Sequence, residues 1–228
     1  MYYNVNDITQ YLTNFELDLD GCFYEDSVED FVWKIDPGVD SYIYDSGISK
    51  CVIIPKKTEY VIKIPFTGYI EDADNDKYYD FDCFRGWNSC AFEMAIEQEA
   101  REEGFGQFFL PLTRVVEYTK YPVYIQPKAV SLQADTKKRY KKYPQVSEKI
   151  KNILKEKEIF LDTRMNKLWL EEIYEKINSE DDFLRFLDFL RDRELDGDLH
   201  CSNIGHWHDE PVLIDYAGFE TSKEDYYD

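Results

Sequence analysis

Apolar residues recur along the chain with two different periods, and the change of period separates a strand-rich first part from a helical second part. Between residues 39 and 66, valine, isoleucine and tyrosine dominate, and the run is interrupted by turn-forming residues at 45–47 and 55–59. Runs of β-branched and aromatic residues bounded by such turns are typical of strands. We therefore predict a three-stranded meander over residues 40–45, 50–54 and 59–65.

Two further segments complete the first part. Residues 114–129 alternate between apolar and polar positions and carry β-branched residues, which predicts a two-stranded hairpin turning near 119–121. Residues 67–86 are acidic and rich in turn-forming residues, which predicts a loop.

Helical periodicity accounts for most of the remainder. Asn88 or Ser89 can cap a helix that Gly104 ends, and Ser179 begins the strongest helical pattern with Asp182 three residues later. In that last pattern Phe183, Leu187 and Leu190 fall on one face. The predicted helices are 6–14, 27–35, 88–104, 144–158, 166–178 and 179–195.

Composition agrees with a folded α+β protein. The chain has 228 residues, of which 43% are hydrophobic and 17% aromatic, enough for the core of one domain or of a two-lobed unit. No stretch approaches the roughly 20 apolar residues that a membrane-spanning helix needs, so we expect no membrane association.

The charge and the cysteines restrict the partners and the compartment. A formal net charge of −20 repels nucleic acid, so we expect no nucleic-acid partner unless the protein mimics the charge of DNA. Any nucleotide must be held by local cations or metal against this field. The five cysteines are odd in number and form no CxxC pair, which favours a reducing, cytoplasmic location.

Candidate chemistry concentrates in residues 196–215, which contain all three histidines. A zinc site there would need a second group of ligands, and the sequence has one loose group. We expect His206 and His208 to be partly exposed loop residues and His200 to brace the loop. Asp198, Asn203 and Asp215 offer the hard oxygen ligands that Mg²⁺ prefers, and Asp215 follows an apolar strand.

The pattern D-L-H-x-x-N, followed by an apolar strand ending I-D-Y-A-G, resembles the catalytic and metal-binding loops of the protein-kinase-like superfamily. It is most similar to the loops of aminoglycoside and choline kinases. The resemblance implies that Asp198 orients or deprotonates the acceptor hydroxyl. It also implies that Asn203 and Asp215 hold Mg²⁺ on the phosphates of ATP.

The same resemblance implies a lysine on the third strand of an N-terminal sheet, and Lys63 in the segment VIKIPF has that place. A hairpin that covers the phosphates should precede it. Gly47 and Ser49 lie at the turn of that hairpin, and Val52 follows at the position that usually lies over the base. One glycine is present where the family often has three.

Two more parts of the nucleotide site are implied further along. The lysine should pair with a glutamate on the next helix, for which we choose Glu93, with Glu97 as the alternative. A hinge around Gln126 and Lys128 should then bind adenine through backbone groups.

Together these parts predict a two-lobed α+β fold with an antiparallel β N-lobe and a reduced helical C-lobe. We expect an N-terminal helical extension over residues 1–38, the N-lobe over 39–126 and the C-lobe over 127–228. The implied activity is ATP- and Mg²⁺-dependent phosphoryl transfer to a hydroxyl of a protein or a small molecule. The alternatives are a kinase-fold module that binds a nucleotide or a protein without turnover, and an acidic mimic of DNA.

Overall fold

A computed structural model of the protein describes most of the chain. The described residues are 42–46, 50–55, 58–65, 70–72, 77–79, 88–117, 122–135, 145–161 and 163–217, with the single positions 6, 8, 9 and 12. The helix predicted at 27–35 lies outside these residues. Positions 6, 8, 9 and 12 are helical, as expected for 6–14, and Ile8 and Leu12 are buried.

The helices and antiparallel sheets confirm the predicted mixed α+β class. The chain divides into two compact units. The first unit comprises residues 1–94 and 111–128, and the second comprises 95–110 and 129–228. Residues 95–110, which fall within the predicted N-lobe, lie in the second unit. Phe105, Phe108 and Phe109 of this segment pack edge to face on Phe186 and Phe189, which also belong to the second unit.

The first unit is built on a five-stranded antiparallel sheet. Its strands are β1 (Tyr42–Ser46), β2 (Lys50–Pro55), β3 (Tyr60–Pro65), β6 (Thr113–Arg114) and β7 (Tyr124–Pro127), in the spatial order β1-β2-β3-β7-β6. The three predicted meander strands are confirmed within one or two residues at each end. The later hairpin is also present, since Arg114 pairs with Tyr124, while its predicted turn lies outside the described residues.

The predicted loop over residues 67–86 contains additional structure. Two short strands, β4 (Ile70–Asp72) and β5 (Lys77–Tyr79), pair antiparallel within it. Three-residue strands have no room for a clear alternation of apolar and polar positions, so the acidic composition of the segment dominated the prediction.

Helix α1 (Ser89–Glu102) follows, and local signals set both of its ends. Asn88 Oδ1 accepts a hydrogen bond from the Ala91 amide at 3.0 Å, which caps the first turn. Gly104 ends the helix with φ at +87°, a conformation that glycine adopts without the Cβ clash of other residues.

The second unit contains the remaining helices and a small sheet. The helices are α2 (Leu132–Asp135), α3 (Glu148–Glu156), α4 (Arg164–Lys176) and α5 (Glu180–Asp192). Ser147, Thr163 and Ser179 cap the last three by accepting a backbone amide three residues ahead. The prediction for α5 is confirmed, since Ser179 and Asp182 are hydrogen-bonded and Phe183, Leu187 and Leu190 are fully buried.

Aromatic side chains form much of the core of the second unit. Phe186 of α5 contacts Phe105, Phe108 and Phe109 edge to face, with ring centroids 5.4, 5.4 and 6.5 Å apart. Such pairs contribute about 0.5–1.5 kcal/mol each beyond the burial of their area. This cluster holds the segment after α1 against α5.

A three-stranded antiparallel sheet completes the second unit, in the order β10-β9-β8. Its strands are β8 (Val130–Ser131), β9 (Ile204–Trp207) and β10 (Glu210–Leu213). The β9–β10 hairpin turns at His208 and Asp209, which both have positive φ. Among the described residues, no helix is long and apolar enough to cross a membrane.

Gly205 lets β8 approach β9 closely, and its replacement tests this packing. A Cβ at Gly205 would lie 2.2 Å from the carbonyl oxygen of Val130, which is backbone and cannot swing aside. Gly205→Ala is therefore expected to lower the free energy of unfolding by about 1–3 kcal/mol in urea titrations. Gly197→Ala is the control, because a Cβ there meets nothing within 4 Å. Equal stability of the two variants would contradict the close approach.

Candidate functional site

A buried ion pair joins β3 to α1 within the first unit. Lys63 Nζ donates a hydrogen bond to Glu93 Oε2 at 2.8 Å, and the side chains are 3% and 0% exposed. These are the two residues that the sequence analysis expected to pair. The alternative glutamate, Glu97, instead accepts from Arg101 on its own helix.

A second lysine, which the sequence analysis did not identify, binds the same carboxylate. Lys50 Nζ donates to Glu93 Oε1, and the Lys50 side chain is 2% exposed. Each oxygen of Glu93 therefore binds one ammonium group. We call Lys50, Lys63 and Glu93 the two-lysine cluster.

The register of the sheet explains why both lysines reach α1. Val52 of β2 lies opposite Lys63 of β3, and Lys50 lies two residues before Val52. Residues two apart in a strand face the same way, and so do directly opposed residues, so the three side chains share one face of the sheet. Gly47 and Ser49, expected to cover the phosphates, lie outside the described residues.

The hinge residues expected from the sequence lie in and after β7. Gln126 is fully buried and pairs in register with Val61. The Lys128 amide donates to the carbonyl of Glu59 at 2.9 Å, and its ammonium group donates to the carbonyl of Pro55. Burial lowers the pKa of Lys128, and the nearby Glu59 carboxylate opposes part of that change.

Tyr124 fixes the beginning of α1 on β7. Its side chain packs with Cys90, Leu112 and Met94, and its hydroxyl accepts from Asn88 Nδ2 at 2.8 Å. Burial raises the pKa of Tyr124, although the hydrogen bond from Asn88 lowers it in part. The phenol is therefore neutral at physiological pH and anchors the helix that carries Glu93.

The candidate catalytic loop begins in the second unit with a short 3-10 turn, Asp196–Asp198. Asp198 is 7% exposed, and its Oδ1 lies 3.2 Å from His200 Nε2. The other ring nitrogen of His200 is hydrogen-bonded to Ser202 Oγ at 2.6 Å. His200 thus braces the loop against Asp198, as expected from the sequence.

Hydrogen bonds of the Asn203 side chain and backbone bring Asp198, Asn203 and Asp215 together. Asn203 Nδ2 donates to the carbonyl of Asp198 at 3.2 Å. The carbonyl of Asn203 in turn accepts from the amides of Ile214 at 2.7 Å and Asp215 at 3.2 Å. The two acidic residues are therefore tied to one asparagine between them.

Tertiary contacts fix the segment that carries Asp215. The hydroxyl of Tyr216 donates to the carbonyl of Leu110 at 2.7 Å, and its ring packs edge to face on Phe109, with centroids 5.2 Å apart. The Leu110 amide donates to the carbonyl of Leu213 at 3.0 Å. Asp215 therefore lies between two residues, Leu213 and Tyr216, that are both hydrogen-bonded to Leu110.

Asn166 and Trp169 of α4 bind the candidate catalytic loop and the strand that follows it. The sequence analysis identified neither residue. Asn166 Nδ2 donates to the carbonyl of Leu199 at 2.8 Å, and Asn166 Oδ1 accepts from Cys201 Sγ at 3.0 Å. Trp169 Nε1 donates to the carbonyl of Gly205 at 3.0 Å. In the sequence nothing distinguishes these two residues from the rest of the predicted helix, and their hydrogen bonds are visible only in the tertiary structure.

His206 corrects an expectation. It is not a partly exposed loop residue but is 4% exposed in β9, with Nε2 2.7 Å from Glu172 Oε2. The strand places it inward, where Glu172 of α4 supplies a carboxylate to Nε2. His208 is exposed at the hairpin turn, as expected, with its ring against Trp207.

The oxygen groups of the loop suit Mg²⁺. Because the amide nitrogen of Asn203 donates to Asp198, its amide oxygen is the atom that it would offer to a cation. That oxygen and the Asp215 carboxylate are hard donors, which fit a Mg²⁺ ion that keeps phosphate and water ligands. In the part of the chain that the structure describes, no group of three His, Cys, Asp or Glu side chains could hold a metal ion.

Comparison with known proteins adds no family assignment. No protein-family model matches the chain, and no curated protein sequence matches it. The relationship to the protein-kinase-like superfamily therefore remains a proposal, supported by the residues and contacts of the two units.

Proposed function

We propose that the protein is an ATP- and Mg²⁺-dependent phosphotransferase with a protein-kinase-like fold. The observation that carries the proposal is the buried Lys63–Glu93 ion pair between the third strand of an antiparallel sheet and the helix that follows it. In protein kinases a lysine at this place holds the nucleotide phosphates and is oriented by such a glutamate.

The order of the remaining elements supports the same proposal. After α1 come two more strands of the sheet, then helices, then the loop with Asp198 and Asn203, and finally a strand that precedes Asp215. This is the order in which a kinase presents its lysine, glutamate, catalytic aspartate, metal-binding asparagine and metal-binding aspartate.

The proposed roles follow from chemistry. Lys63 neutralises charge on the phosphates, and Glu93 orients Lys63. Asn203 and Asp215 would hold Mg²⁺, which supplies neutralisation of the phosphate charge. The acceptor oxygen attacks the γ-phosphorus, the bond from that phosphorus to the β–γ bridging oxygen breaks, and ADP leaves. The hydroxyl proton passes to Asp198.

Nucleotide binding and transfer test the proposal directly. Thermal unfolding with and without Mg-ATP is expected to show stabilisation, about 2.7 kcal/mol when ATP is present at a hundred times its dissociation constant. Incubation with γ-labelled ATP, with choline, an aminoglycoside or a serine-rich protein as acceptor, is expected to transfer label to an acceptor or to the protein itself. EDTA should prevent the transfer. If the protein neither binds Mg-ATP nor transfers label, the proposal is wrong.

One contact favours a second candidate, a kinase-fold module that binds nucleotide without turnover. His200 Nε2 lies 3.2 Å from Asp198 Oδ1, so a protonated His200 would neutralise part of the charge of the carboxylate that should accept the hydroxyl proton. Mg-ATP stabilisation without label transfer to any of the acceptors would favour this candidate. Transfer by the wild type that is lost on replacing Asp198 would exclude it.

A further inference from the structure

Lys50 is a buried charged residue to which the proposed mechanism assigns no role. Its ammonium group binds the same carboxylate as Lys63, on the other oxygen, and its side chain is 2% exposed. Burying a lysine costs free energy unless its charge is compensated, and the structure places it beside a lysine that already binds Glu93. Such an arrangement concentrates positive charge at one end of β2 and β3.

The sheet directs Lys50 toward the same region as Lys63. The two residues are diagonal neighbours on one face, since Val52 lies opposite Lys63 and two residues from Lys50. Diagonal neighbours in an antiparallel pair are about 7–8 Å apart.

We propose that Lys50 is a second phosphate-binding cation, which together with Lys63 binds the polyphosphate of the nucleotide. This inference rests on the proposed nucleotide-dependent function and adds a residue to its binding site. A chain with a net charge of −20 repels a polyanionic nucleotide, and a paired cation offsets that repulsion locally. Lys50 also compensates for a hairpin with one glycine, Gly47, where three would bring more backbone amides to the phosphates.

The test compares dissociation constants for ATP, ADP and adenosine by calorimetry, in the wild type and in Lys50→Gln. The glutamine amide can still donate to Glu93, while the positive charge is lost. We expect the affinity for ATP to fall about 10- to 100-fold and the affinity for adenosine to stay unchanged. A purely structural lysine would change both affinities by the same factor.

Two further variants complete the design. Lys157→Met removes another paired lysine, bound to Asp188 in the second unit, and lowers the net charge equally, so its affinity for ATP should match the wild type. Lys50→Arg keeps the cation and should keep the preference for ATP over adenosine, including where Lys50→Gln fails to fold.

The outcomes separate this inference from the proposed function. If the wild type binds ATP but Lys50→Gln keeps the wild-type ratio of ATP to adenosine affinity, Lys50 does not contact phosphate and the inference fails alone. Loss of that ratio in Lys50→Arg as well as in Lys50→Gln would also overturn it, since the charge would then not be the cause. If the wild type binds no adenine nucleotide, the proposed function fails and the inference with it.

Discussion

Asp198→Asn is expected to lower the rate of phosphoryl transfer about 10²- to 10⁴-fold while the affinity for Mg-ATP stays nearly unchanged. Asparagine keeps the size and the polarity of the side chain but cannot accept a proton at neutral pH. In the proposed reaction Asp198 takes the proton of the acceptor hydroxyl, whereas the nucleotide is held by other residues. The effect should therefore fall on the catalytic step and not on nucleotide binding.

The structure supplies a matched control two residues away. Asp196 lies in the same 3-10 turn, and its carboxylate is 4.0 Å from Arg191 and more exposed than that of Asp198. Asp196→Asn removes the same charge from the same turn and should transfer phosphate at the wild-type rate. Single-turnover assays with γ-labelled ATP measure both variants. Equal rates for the two variants would contradict the assignment of Asp198 as the base.

Glu93→Ala is expected to be the most destabilising of the substitutions considered, by about 3–5 kcal/mol of unfolding free energy. The carboxylate is fully buried and binds two ammonium groups that are themselves buried. Removing it leaves two lysine charges close together without their shared counter-charge. Urea titrations of the variant and the wild type measure the difference.

Glu97→Ala is the control for this prediction. Glu97 lies one helical turn further along α1 and binds one partner, Arg101, whose side chain is 61% exposed, so its loss should cost less than the loss of Glu93. Glu93→Gln should be milder than Glu93→Ala, because its amide oxygen can still accept from one lysine. If Glu93→Ala were no less stable than Glu97→Ala, the two-lysine cluster would not form in solution.

Local signals explain which elements could be predicted. The ends of two helices are set by contacts within a few residues, so they could be predicted from the sequence. These signals are Asn88 and Gly104 for α1, and Ser179 with Asp182 for α5. The meander strands could also be predicted, because their apolar runs stop at turn-forming residues. The short strands β4 and β5 were not, because three residues carry too little pattern.

Some residues of the candidate site could likewise be predicted from local sequence patterns, and Lys50 could not. Motif spacing pointed to Asp198, Asn203 and Asp215, and a lysine between two isoleucines pointed to Lys63. By contrast, Lys50 follows a turn and in the sequence resembles an exposed lysine. It is buried because α1 carries Glu93 to that face of the sheet.

The sequence by itself therefore determined the order of the elements, most helix ends and the residue types of the candidate chemistry, since these depend on neighbours along the chain. The tertiary structure alone decided that Glu93 and not Glu97 binds Lys63, that Lys50 joins them, and that His206 faces Glu172. It also decided that Asn166 supports the loop at Leu199. These contacts join residues 30 to 43 positions apart, and they follow from sheet register and helix packing, which sequence periodicity does not specify.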